Sequence, residues 1–198
     1  MAQIDYFFAT LSPYCYLAGQ RLEVVAAKHG PRVNYKPFDI IAAFARTGGT
    51  LPADRHPSRI EYRAQELPRQ AKKLGMKFNL QPAHWPTNGA PAAYAFIAAQ
   101  NAGGGDLGKL AHGITRAVWA EEKDIAQDEV IRTCLKEAGF DEGLADSGLL
   151  VGAETYAANL EEAVERGVFG APFYFVGEQR FWGQDRIEDL DLHLSGKL

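Results

Sequence analysis

The chain has 198 residues, 46% hydrophobic and 23% charged, with a formal net charge of −4. That length suits one sizeable core, or a core with an insertion, in an ordinary globular protein. The mild acidity and the lack of a long basic stripe point away from nucleic acid as a partner, and no apolar run reaches the ~18–20 residues that span a bilayer.

Met1-Ala2-Gln3-Ile4-Asp5 lacks the basic region and cleavage site of a signal peptide, so the expectation is a cytoplasmic protein. Residues 3–9 are aromatic-rich and alternating, which predicts a strand. Ser12 as N-cap and Pro13 at the first helical position then open a helix predicted over 13–29, with Leu17, Leu22, Val25 and Ala26 on its apolar face. His29-Gly30-Pro31 stops it, and residues 33–38 read as a second strand. The crossover is long enough to make the pair parallel.

Residues 44–57, with Gly48, Gly49, Pro52 and Pro57, read as a loop. Helices are expected over 59–74 (kinked at Pro68), 90–101, 106–121, 127–138 and 153–166. The glycine triplet 103–105 joins two of them and lacks the strand context of a phosphate loop. Residues 173–176 and 179–182 flank Gly177-Glu178 as a hairpin, and 186–194 form a closing helix. The order is β-α-β, a helical stretch, then β-β-α. This is an α/β chain: a thioredoxin fold interrupted by a large all-helical insertion. Residues 1–43 and 164–198 are expected to form the discontinuous thioredoxin-like domain, and 44–163 the helical one.

Ser12-Pro13-Tyr14-Cys15 occupies the strand-to-helix junction where thioredoxin-type proteins carry Cys-x-x-Cys, with serine at the first thiol position. A lone Cys15 cannot cycle through a disulfide with a neighbour, so the reactive sulfur of such a site would arrive with a bound small molecule. Two cysteines argue against a disulfide scaffold, and Cys134 reads as a small buried hydrophobe. The five histidines have no ligand spacing with cysteine or carboxylate, so no metal is expected.

Two segments, FFATLSPYCYL (7–17) and GVFGAPFYFVGEQRFWGQDR (167–186), together with the helices between them, carry a resemblance. The chain resembles the 2-hydroxychromene-2-carboxylate isomerases and kappa-class glutathione transferases of the wider DsbA-like group. The resemblance implies glutathione as cofactor, a small aromatic substrate and a homodimer. It implies that Ser12 activates the glutathione thiol, that Ala171 and a cis Pro172 hold the cysteinyl unit, and that Gln184 and Asp185 hold the γ-glutamyl end. It further implies conversion of 2-hydroxychromene-2-carboxylate to trans-o-hydroxybenzylidenepyruvate in naphthalene-type catabolism. The bland readings beside these are Ser12 as a plain N-cap, Pro172 as a strand start and Asp185 as the cap of the closing helix. A kappa-like transferase or peroxidase, a DsbA-like oxidoreductase and a non-catalytic binding protein stay open as alternatives.

Among the large aromatics Phe38, Trp85, Trp119, Phe169 and Trp182, the candidates for a substrate wall are Trp182 and Trp85. Asn88 is a candidate polar contact, equally suiting a helix cap, and Arg59 or Arg55 is a candidate to supply the contact that the family's loop asparagine makes. Cys15 reads as a packed thiol. Relatives carry an asparagine in a Gly-Asn-x-Pro-Pro loop after the second strand, where this chain has Gly49 in Thr47-Gly48-Gly49-Thr50-Leu51-Pro52.

Overall fold

The structure, a computed structural model, describes residues 3–198. In chain order it runs β1 (Gln3–Phe8), α1 (Pro13–Ala18), α2 (Arg21–His29), β2 (Arg32–Pro37), α3 (Ile40–Thr47), α4 (Pro57–Lys73), α5 (Ala90–Ala102), α6 (Leu107–Trp119), α7 (Asp128–Glu137), α8 (Leu144–Ser147), α9 (Leu149–Glu165), β3 (Phe173–Val176), β4 (Gln179–Trp182) and α10 (Ile187–Leu194). The strands form one mixed sheet in the order β2-β1-β3-β4. β1 pairs parallel with β2, Gln3 opposite Arg32, and antiparallel with β3, Ile4 opposite Val176. β3 and β4 make the expected hairpin, closed by Val176 opposite Gln179.

Period-two alternation in β1 divides the core. Ile4, Tyr6 and Phe8 point to one face, where Tyr35 and Tyr174 join buried residues of α1, α2, α5, α6 and α10. Phe7 points to the other, meeting Phe38, Phe173 and Phe175 beneath Ala43 of α3 and Ala163 of α9. Each fully buried aromatic contributes roughly 1.5–3 kcal/mol of transfer free energy. The larger core is continuous from the sheet into the helices between β2 and β3. Among the described residues, no helix is long and apolar enough to cross a membrane.

Four local expectations need correction. The helix predicted over 13–29 is two helices, broken where Gly19 takes φ +60, a left-handed value that favours glycine. The loop predicted from residue 44 overlooked α3, which Asp39 caps by accepting from the Ile41 and Ala42 amides at 2.9 and 3.0 Å. The short α8 was also overlooked. The last helix of the inserted stretch starts four residues early, at Leu149.

Candidate functional site

The two quoted segments meet at Ser12. Its Oγ accepts from the Cys15 amide at 3.2 Å, the N-cap bond expected of it, and donates to the Ala171 carbonyl at 3.3 Å, across 159 residues of sequence. The Ala171–Pro172 peptide is cis. Ala171 N–H makes no main-chain hydrogen bond among the described residues. A serine hydroxyl at a helix N-terminus therefore faces a peptide group with a free donor.

Cys15 lies one turn behind, buried among core residues. Burial pushes its thiol up to about 11, against hydrogen bonds from the Ala9 backbone, Ser12 and Tyr6 that pull it down. A thiol raised in this way stays protonated at neutral pH. The fully buried Tyr174 lies beneath it, its hydroxyl without a hydrogen-bond partner.

The turn 183–186 is tied to the cis proline, since Gly183 N–H donates to the Pro172 carbonyl at 3.0 Å. Gly183 has φ +115, and a Cβ there would stand 2.5 Å from Asp185 Oδ1, so the turn requires glycine. Gln184 is buried and its amide turns inward: Oε1 accepts from Arg21 at 2.5 Å and Nε2 lies 3.4 Å from Gln70 of α4. Arg21 also donates to the Leu17 and Gln184 carbonyls, both at 2.9 Å. The side chain of Gln184 thus braces the turn. Asp185 is exposed and pairs with Arg186 at 2.9 Å; it does not cap α10, which has no side-chain cap.

The remaining candidates fall into separate places. Trp182 is exposed and packs edge-on to Phe169, along a cleft of about 560 Å³ lined by Phe181, Arg186 and His193 that does not include Ser12. Trp85 ends a different aromatic row that runs from Tyr16 through Phe78 to Trp119. Phe38 and Trp119 are core residues. Asn88 is exposed and accepts from the Ala90 amide at 3.1 Å, but the cap position of α5 is held by Gly89 and has no side-chain cap bond. Its neighbour Gly89 accepts from Thr10 Oγ1 at 3.1 Å, which fastens this loop to the segment leading into Ser12. Arg59 is exposed on α4. At Gly49 a Cβ would lie 2.2 Å from Phe44 Cδ1, so the loop in this form has no room for a side chain there.

Sequence reasoning missed Arg21 and Gln70. Arg21 and Gln70 sit on helices whose pattern reads only as amphipathic; nothing local says that they converge on Gln184.

The family model described as a DSBA-like thioredoxin domain matches residues 3–195. A protein of Sphingobium xenophagum named 2-hydroxychromene-2-carboxylate isomerase is 28% identical over 194 residues, covering 96% of this chain and 97% of its own. A solved 2-hydroxychromene-2-carboxylate isomerase superposes with a TM-score of 0.77 at 24% identity, covering 98% of this chain and 94% of its own. The cytosolic disulfide reductase DsbM of Pseudomonas aeruginosa, solved with GSH, superposes with a TM-score of 0.70 at 18% identity, covering 98% of both chains. At these identities the two structures share the fold.

Proposed function

The chain belongs to the DSBA-like thioredoxin family, and on that premise we propose that it is a glutathione-dependent isomerase of the 2-hydroxychromene-2-carboxylate type. The observation that carries this reading is the Ser12 hydroxyl held at the start of α1 against the Ala171–Pro172 peptide. The name of the 28%-identical relative supports the reaction class. The case for glutathione rests on this chain's own donors, which fit a peptide thiol.

Bound there, glutathione would supply a sulfur nucleophile for reversible addition to the conjugated double bond that must rotate. The chain's own groups do the rest. Ser12 gives up its 3.3 Å bond to the Ala171 carbonyl and turns its O–H toward the incoming sulfur. The Tyr14 N–H at the start of α1, which has no partner among the described residues, adds positive potential, and both effects favour thiolate over thiol. The Ala171 N–H and C=O pair with the cysteinyl backbone, as an added strand would. Asp185 and the uncapped start of α10 suit the ammonium and α-carboxylate of the γ-glutamyl end, while Gln184 holds that turn in place.

Serine at the first thiol position, which leaves Cys15 without a partner thiol, weighs against a dithiol oxidoreductase. The test is the Ser12→Ala variant. Glutathione titrated on the wild-type protein should show its thiolate absorbance near 240 nm at close to neutral pH. On Ser12→Ala the titration should move back toward the ~8.5 of the free thiol. An unchanged titration removes Ser12 from activation, and no calorimetric heat with millimolar glutathione overturns the reading as a whole.

A further inference from the structure

Charge is spread unevenly along this chain. Residues 57–77, which are α4 and the turn after it, hold six Lys or Arg against Glu61 and Glu66, a local charge of +4. The rest of the chain therefore carries −8. The acid is concentrated in residues 121–165, with thirteen Asp or Glu against three Lys or Arg. That stretch contains α7, α8 and α9, which pack about α5. Within residues 57–77 one ion pair forms, Arg69 with Glu66 at 2.9 Å. Lys72, Lys73 and Lys77 are exposed, with no carboxylate within ion-pair distance among the described residues. Many cations elsewhere are paired: Lys28 with Asp191, Lys36 with Glu162, Arg46 with Glu161, Arg132 with Asp146.

Three contacts place this basic segment beside the site. α4 buries Leu67 and Ala71 and packs on α1, the helix that Ser12 caps. The Tyr16 hydroxyl of α1 donates to the Lys77 carbonyl at 2.5 Å. Gln70 reaches Gln184, and Lys72 and Lys73 follow it within one helical turn. The acids nearby are already engaged, Glu66 by Tyr62, Arg69 and Gln70, and Asp185 by Arg186. Exposed charges act over a Debye length, ~10 Å at 0.1 M salt and ~30 Å at 0.01 M. A cluster of one sign along the wall of a site raises the local concentration of the opposite ion.

We propose that α4 and the turn after it hold the Ser12 site at a positive potential that gathers small anions to it, Lys72 and Lys73 acting through the field and not by contact. The inference rests on the proposed function only for which anion arrives: glutathione and an aromatic acid both carry net negative charge. Reversing two charges about 15 Å from the site changes the local concentration of a monoanion about threefold at ~0.01 M salt.

The potential can be read without either ligand. Ser12→Cys combined with Cys15→Ser puts a lone thiol at the site, where iodoacetate and iodoacetamide alkylate it by the same displacement of iodide by sulfur. Their rate ratio cancels thiolate content and leaves the potential, because only iodoacetate is charged. Adding Lys72→Glu with Lys73→Glu should lower the iodoacetate-to-iodoacetamide ratio about threefold at ~0.01 M salt. The gap should close at ~1 M, where the Debye length is ~3 Å. Lys72→Arg with Lys73→Arg should keep the parent ratio. A ratio that ignores charge reversal at low salt overturns the proposal. So does a drop that persists at high salt, which marks a contact and not a field. Should the Glu pair fail to fold, Lys72→Gln with Lys73→Gln should give about half the effect on a logarithmic scale.

Calorimetry with glutathione, on protein that keeps Ser12 and Cys15, separates this inference from the proposed function. The Glu pair should bind glutathione about threefold or more weakly than the wild type at low salt, and equally at high salt. Equal binding at low salt overturns the gathering role and leaves the proposed function standing. A wild type that binds no glutathione, beside an alkylation ratio that still follows the lysines, overturns the proposed function and leaves the potential standing.

Discussion

A thiol pushed up to about 11 by burial is a thiolate in roughly one molecule in a thousand at pH 8. Cys15 and Cys134 are both buried and both pushed to about 11, so the native protein should resist iodoacetamide at pH 8, while the urea-unfolded chain reacts at both sites. Mass spectrometry reads the difference; rapid alkylation of native Cys15 would restore it as a chemical group. Cys15→Ser should accordingly keep turnover in the proposed isomerisation within a few-fold while costing about 1 kcal/mol of stability, because a hydroxyl is a poorer fit to an apolar site. The role of Ser12 as helix cap was legible from Ser-Pro at a strand end, and the structure shows that bond. Its second bond, to Ala171, was not legible from either segment alone, because nothing local fixes a contact across 159 residues.

Element by element, legibility followed how much of the signal is local. The hairpin 173–182 appeared with the expected bounds because Gly177-Glu178 sits between two alternating runs. The break at Gly19 was hidden, since one glycine inside an apolar pattern reads as tolerated until its φ is known. α3 was hidden because its eight residues lie between a strand and a glycine-rich loop and supply barely two turns of pattern. The loop 85–89 matters to the site for a reason no propensity carries: it docks on the segment before Ser12. A Cβ on Gly89 would meet Thr10 Oγ1 at 2.4 Å and Leu11 Cγ at 2.9 Å. Gly89→Ala should therefore displace residues 10–12, lowering stability by about 1–3 kcal/mol and reducing kcat. Chemical denaturation and steady-state kinetics check both. A variant that loses stability with kcat intact would show that the loop supports the fold without positioning Ser12.

The continuous core between the sheet and the inserted helices places one carboxyl where the whole molecule's stability feels it. Glu23, on α2, accepts from the Tyr35 hydroxyl at 2.7 Å through Oε1, while Oε2 is enclosed without a partner. It packs against Gly108 of α6, where a Cβ would lie 2.4 Å from Glu23 Cγ. Burial raises Glu23 above the ordinary 4.5, against the hydrogen bond from Tyr35. A raised carboxyl favours folding in its protonated form, so its contribution is fully present below about 4.5 and is lost as pH rises through the folded value. Asp5 works in the opposite sense. Burial pushes it up, but hydrogen bonds from Arg166, Asn34 and Gln3 outweigh that and hold it below 3.8, so its contribution is lost only as pH falls through the folded value. The two limbs occupy different pH windows and can be separated by substitution. Glu23→Gln keeps an acceptor for Tyr35 and cannot ionise, so it should gain on the wild type as pH rises from 4 to 7, reaching roughly 1 kcal/mol, with the acid limb unchanged. Urea unfolding measured across that range decides it. A stability difference that stays constant with pH would mean that Glu23 titrates alike in the folded and unfolded chain, and that the junction between sheet and inserted helices tolerates the charge.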